Sequence, residues 1–142
     1  TANKRGKFVP ADYIHAAELP DDAFPYVFMT GRQLEHWHTG AMTRNATVLN
    51  AIEPEPVVNI HPLDLRDIGA EPGDFIRVRS RRGEIVARAR SDFGIQRKSL
   101  FMAFCYSEAA ANLLTSESLD PFGKIPEFKY CAVTVQKADK TD

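Results

Sequence analysis

Apolar and polar positions alternate most clearly between Phe75 and Arg90. Phe75–Ser80 and Glu84–Arg90 set apolar residues against arginines with a period of two, on either side of Arg82-Gly83. That is the pattern of a β-hairpin with one buried face. Ile76 and Val78 are expected to face a core and Arg77 and Arg79 to face out, with Ile85, Ala87 and Ala89 on one side of the second strand and Val86, Arg88 and Arg90 on the other. Shorter apolar runs at Tyr26–Met29, Val57–Ile60, Leu100–Phe104 and Tyr130–Val135 predict further strands. The first is entered through Pro25 and left at a Thr30-Gly31 turn.

Helical spacing is weaker. Val48, Leu49 and Ile52 share a face if Ala41–Ile52 is a helix, which Glu53-Pro54-Glu55-Pro56 would end. His61–Gly69 reads as a compact helix, with Pro62 in the first turn and Gly69 at the C-terminal cap. Pro72-Gly73-Asp74 is a turn signal. A helical patch at Glu108–Leu114 interrupts the long segment Cys105–Lys129. Short strands broken by Gly and Pro, with two or three short helices between them, predict a mainly β chain folded as a small barrel. Residues 1–22 read as an extended lead-in, 23–138 as the domain and 139–142 as a tail.

A length of 142 residues suits one domain with a real core. The net charge of −1 argues against general nucleic-acid or anionic-membrane binding, despite the arginines between Arg77 and Arg90. Those arginines (Arg77, Arg79, Arg81, Arg82, Arg88, Arg90) are expected to form the solvated face of the hairpin, or a docking surface. No apolar run is long enough to span a bilayer, so no membrane insertion is expected. The polar, basic start lacks a signal-peptide pattern and Cys105 and Cys131 form no CxxC pair, which suits a cytoplasmic location.

Candidate chemistry concentrates in Thr30–Gly40. An arginine, two imidazoles and an indole lie between two glycines at a strand end. Such a loop can offer backbone N–H groups and a guanidinium to phosphate, and flat faces to a ring. Trp37 as a core anchor is the competing reading. No Gly-rich dinucleotide or P-loop motif is present. Asn112, an amide inside an apolar stretch, could meet a base edge or cap a helix. Phe128-Lys129 sets a ring beside a cation. A zinc site joining His36 and His38 to Cys105 and Cys131 matches no common ligand spacing. No nucleophile–base set can be assembled.

Three segments together resemble the C-terminal cofactor-binding domain of molybdenum or tungsten oxidoreductases that carry molybdopterin guanine dinucleotide. They are Tyr26–Arg44; Pro62-Leu63-Asp64 through Pro72-Gly73-Asp74 and Ser80-Arg81-Arg82-Gly83; and Asn112-Leu113-Leu114 with Asp120-Pro121 and Pro126–Val133. Within the family the likeness is strongest to the large (alpha) subunit of formate dehydrogenase, with periplasmic-type nitrate reductase next. The resemblance implies a double-psi β-barrel. It also implies cofactor contacts from Thr30, Gly31, Arg32, Gln33, His36, Trp37 and His38, and from Phe104, Asn112, Phe128 and Lys129. Some relatives carry Tyr where Phe128 stands, which reduces that position to packing. The metal ligand, the catalytic residues and the cluster cysteines of such enzymes come from other domains. No catalytic or metal-ligating residue is therefore expected here, and the chain alone is expected to be inactive. Its implied partners are the rest of a parent large subunit and iron–sulfur electron-transfer subunits; a free-standing small subunit of such an enzyme, or a zinc-stabilised interaction module, are the alternatives.

Overall fold

The hairpin forms where the alternation predicts it. In the computed structural model, which describes residues 1–139, β3 (Phe75–Arg79) pairs antiparallel with β4 (Glu84–Ser91), from Phe75 opposite Arg88 to Arg79 opposite Glu84. Ile76, Val78, Ile85, Ala87 and Ala89 are buried, Arg79 is exposed and Arg77 half-buried. The other strands are β1 (Tyr26–Gly31), β2 (Val57–Ile60), β5 (Ser99–Ala103) and β6 (Cys131–Ala138). Each starts within a residue of its expected position, and β1 and β6 run on further than the apolar pattern does. Three residues of the expected tail, 140–142, lie outside the described residues.

The six strands close into a barrel in the order β1-β5-β2-β4-β3-β6. Two pairs, β1–β5 and β2–β4, are parallel and the remaining four antiparallel, the arrangement of a double-psi β-barrel. Closure leaves no open sheet edge among the described residues. Phe28, Val58, Ile60, Val78, Leu100, Met102 and Val133 fill the interior, fully buried.

Register then decides which loops meet. Gly31 lies opposite Ala103 in the parallel β1–β5 pair, so Arg32 and Phe104 leave the barrel side by side. Phe28 lies opposite Cys131 in the antiparallel β1–β6 pair, so the residues just before β6 arrive at that same end.

Helix content is smaller than the spacing suggests. Ala41–Ile52 is not one helix: a 3-10 turn at Thr43–Asn45 and α1 (Thr47–Ile52) are separated by an extended Ala46. The Asn45 side chain donates to the Ala41 carbonyl, diverting a backbone acceptor that a continuous helix would use. The expected buried face is also open, with Val48 and Ile52 72% and 58% exposed. The Glu108–Leu114 patch shrinks to a 3-10 turn at Ala111–Leu113, because Glu108 pairs with Arg44 while Ala109 and Ala111 are drawn into the core. By contrast α2 (Pro62–Asp67) starts at Pro62 as expected, and Gly69 follows it with φ +68°.

The hairpin arginines are not simply a solvated face. Arg81 pairs with Asp21, Arg82 with Glu18, Arg88 with Glu55 and Arg90 with Glu53. Local positive charge is thereby neutralised by neighbouring carboxylates.

Candidate functional site

The barrel end where β1 and β5 finish carries a cavity of about 190 Å³, lined by Thr30, Arg32, His38, Thr39, Phe104, Asn112, Phe128 and Lys129. The strand-end loop and the distant 112 and 128–129 stretches therefore converge, as the sequence reading required. They are laced together directly: the Thr30 hydroxyl donates to the Phe128 carbonyl (2.7 Å), and Lys129 Nζ donates to the Thr30 carbonyl (2.6 Å).

Two of its polar side chains, Arg32 and Asn112, are held open. Arg32 forms no ion pair among the described residues; its guanidinium lies 5.5 Å from the centre of the Phe104 ring. That sets it apart from Arg44, Arg82, Arg90 and Arg97, all matched to carboxylates. The Asn112 side chain makes no hydrogen bond among the described residues, while its backbone carbonyl is taken by the Thr115 hydroxyl. His38 meets Phe104 edge to face at 5.1 Å and holds a left-handed backbone, φ +53°. Left-handed geometry at a non-glycine residue costs about 1–2 kcal/mol and tends to gather at working sites. Phe128, 39% exposed, completes the wall.

Unpaired cationic and amide donors beside two aromatic rings suit a ligand that joins phosphate to a flat heterocycle. The donor set fits such a group on its own chemistry.

Four of the expected contacts stand outside this cavity. Gly31 is a glycine because Phe101 of the adjacent β5 lays its ring there; a Cβ would lie 2.3 Å from Phe101 Cε2. Gln33 donates to the Tyr106 hydroxyl (2.8 Å). His36 is buried, with Nε2 facing the Glu53 carbonyl at 2.8 Å and Nδ1 facing the Thr43 hydroxyl at 3.3 Å. Trp37 is 70% exposed, hence no core anchor, and faces an adjoining groove of about 540 Å³ that shares Arg32 and His38 with the cavity. Gln33 and His36 brace the loop that carries Arg32 and His38.

Sequence reasoning missed Thr39, on the cavity wall, and Tyr106, whose hydroxyl also donates to the Glu53 carbonyl (3.2 Å). Burial pushes the Tyr106 hydroxyl up to about 12, so it stays protonated and available to donate. The zinc reading has no ligand set: among the described residues no group of three or more His, Cys, Asp or Glu could hold a metal, and both cysteines are buried thiols.

Residues 26–132 match the family described as "Molydopterin dinucleotide binding domain". The chain belongs to that family. This molybdopterin dinucleotide-binding domain is 44% identical over 137 residues to the F420-dependent formate dehydrogenase subunit alpha of Methanocaldococcus jannaschii, and 38% identical over 137 residues to the F420-dependent formate dehydrogenase 1 subunit alpha of Methanococcus maripaludis. Each alignment takes in 96% of the chain and 20% of the relative, so the chain spans one fifth of the length of these curated relatives. Acetylene hydratase from Pelobacter acetylenicus superposes with a TM-score of 0.76 over 89% of the chain and 21% of the hydratase, at 16% identity. That likeness speaks to the fold alone. Among the described residues no helix is long and apolar enough to cross a membrane.

Proposed function

We propose that the domain binds the guanine dinucleotide form of molybdopterin for a parent formate dehydrogenase, in which it is the C-terminal part of the large subunit. One observation carries the reading. Stretches about 70–100 residues apart in sequence meet in one cavity, and the side chains they bring to it have no carboxylate partners among the described residues. Arg32 and Lys129 would hold phosphate, Phe104 and Phe128 would flank a ring, and Asn112 and His38 would meet polar edges.

A cavity of about 190 Å³ is smaller than the roughly 300–1,000 Å³ that encloses a whole ligand. The domain would thus provide one wall of a site completed by other domains of the parent, and the 20% coverage of the relatives leaves room for them. When bound, the cofactor supplies the molybdenum or tungsten at which formate loses two electrons and a proton to become carbon dioxide. This chain's residues bind and orient it; they supply no acid, base or metal ligand. Iron–sulfur centres would carry the electrons away, and F420 is the acceptor proposed, as both relatives are described as F420-dependent. A cytoplasmic location and a domain running from 23 to 138 complete the proposal.

Arg32→Ala in the full-length parent tests the reading. Purified enzyme should hold less metal and less guanine nucleotide per chain, with activity falling in proportion. Unchanged cofactor content and an unchanged rate would overturn it.

A further inference from the structure

Two consecutive residues of the lead-in grip the wall of the cavity from behind. The Ala17 N–H donates to Glu127 Oε2 (3.2 Å), and Glu18 Oε1 accepts from the Ala132 N–H (2.8 Å). They thereby hold the chain on both sides of Phe128 and Lys129. Arg82, at the tip of the β3–β4 hairpin, forks onto both oxygens of Glu18 at 2.7 and 2.9 Å. The same guanidinium turns Nε and Nη2 to the Leu114 carbonyl at 3.1 and 2.9 Å. Leu114 ends the turn that presents Asn112. Gly83 packs so tightly behind that turn that a Cβ would lie 3.1 Å from the Leu113 carbonyl.

This pair differs from an ordinary surface ion pair, which contributes little because water screens it and its chains are mobile. The Glu18 and Arg82 side chains are 15% and 20% exposed, the contact is bidentate, and both partners also hold backbone groups. The Arg82 fork keeps the Glu18 carboxyl below its usual range, so the pair stays charged at neutral pH. Neither residue lines the cavity.

We propose that Glu18 is a positioning residue for cofactor binding: through Arg82 and the Ala132 amide it sets the Asn112 wall of the cavity relative to the Phe128–Lys129 wall. The inference rests on the cavity being the cofactor's site. It makes the lead-in part of the binding apparatus, so that a shift of this segment opens or narrows the cavity without touching the ligand.

The test uses full-length parent enzyme loaded with cofactor. It follows loss of metal and guanine nucleotide after dilution, together with the thermal midpoint. Glu18→Gln keeps the volume and an acceptor for the Ala132 N–H but loses the charge. It should shed cofactor about tenfold faster than the parent with a midpoint close to the parent's. Arg82→Lys, which cannot fork, should do the same. Asp21→Ala, which removes the Asp21–Arg81 pair from the same lead-in and leaves Glu18 its contacts with Arg82 and, at 3.5 Å, Arg81, should leave the loss rate unchanged. Wild-type retention in Glu18→Gln overturns the proposal, as does equally fast loss in Asp21→Ala. Failure of Glu18→Gln to fold would also overturn it, giving the pair a role in stability alone. Arg32→Ala in the same assay separates the two claims. If it sheds cofactor and Glu18→Gln does not, only the positioning role fails; if Arg32→Ala also retains cofactor, the cavity is not the site.

Discussion

Gly40 and Gly69 hold nearly the same backbone, φ +76° and +68°, yet the space around them differs. A Cβ on Gly69 would meet nothing within 4 Å, whereas on Gly40 it would lie 2.8 Å from the Cys105 carbonyl and 2.6 Å from Arg44 Cγ. Gly69→Ala should therefore cost only the left-handed penalty, about 1 kcal/mol. Gly40→Ala adds a clash with backbone that cannot swing away, and should cost about 2–4 kcal/mol. Urea unfolding of the two variants checks this, and equal losses would refute the packing argument. Gly69 was readable as a helix cap and Gly40 as the end of a loop, but only the fold separates the one in open space from the one pressed against Arg44 and Cys105. The same limit applies to Gly31 and His36. Their residue types suggested ligand contacts, and their neighbours Phe101 and Glu53 show structural work that the residue types did not suggest. A short window of sequence cannot show which side of a loop faces the barrel.

At the scale of elements, α2 shows what local signals reach. Pro62 and Gly69 marked its ends because capping chemistry acts within a turn or two. Its anchor was not legible. Asp64, fully buried, accepts from the Lys98 N–H (2.7 Å) and from Arg97 Nε (2.7 Å), fixing the helix to the start of β5 across more than 30 residues of chain. Asp64→Ala should destabilise by about 1–3 kcal/mol, mainly by stranding the Lys98 N–H. Arg97 adds little to that loss, since its side chain is 44% exposed and can turn to water. Hydrogen exchange should place the added opening at the start of β5, and a uniform rise across all strands would contradict a local anchor. The long 30–45 and 105–129 segments carried readable chemistry but no readable path. Their course depends on long-range ties such as Thr30 to Phe128, which leave no periodic trace.

Across the whole molecule, strand count followed from period-two patterning in the hairpin and short apolar runs elsewhere, and the barrel from the Gly and Pro breaks between them. Closure and register did not, because pairing partners lie up to about 100 residues apart. Closure also sets how the molecule answers to pH. The β1–β6 seam buries Cys131, and burial pushes its thiol up to about 11; burial raises Cys105 as well. An unfolded cysteine titrates near about 8.5. Above that pH the unfolded chain sheds a proton that the folded barrel keeps, so unfolding becomes easier as pH rises towards about 11. The stability linked to the neutral thiol is complete below about pH 8.5 and should fall by about 2 kcal/mol by pH 10 for Cys131. Cys131→Ala leaves a small void and should be less stable than the parent at pH 7. It has no proton to lose there, so the gap between the two proteins should narrow as pH rises from 7 to 10. Urea midpoints for both across that range decide the matter. A gap that stays constant would mean the thiol is not shielded by the seam, and that β1 and β6 part well before the barrel unfolds.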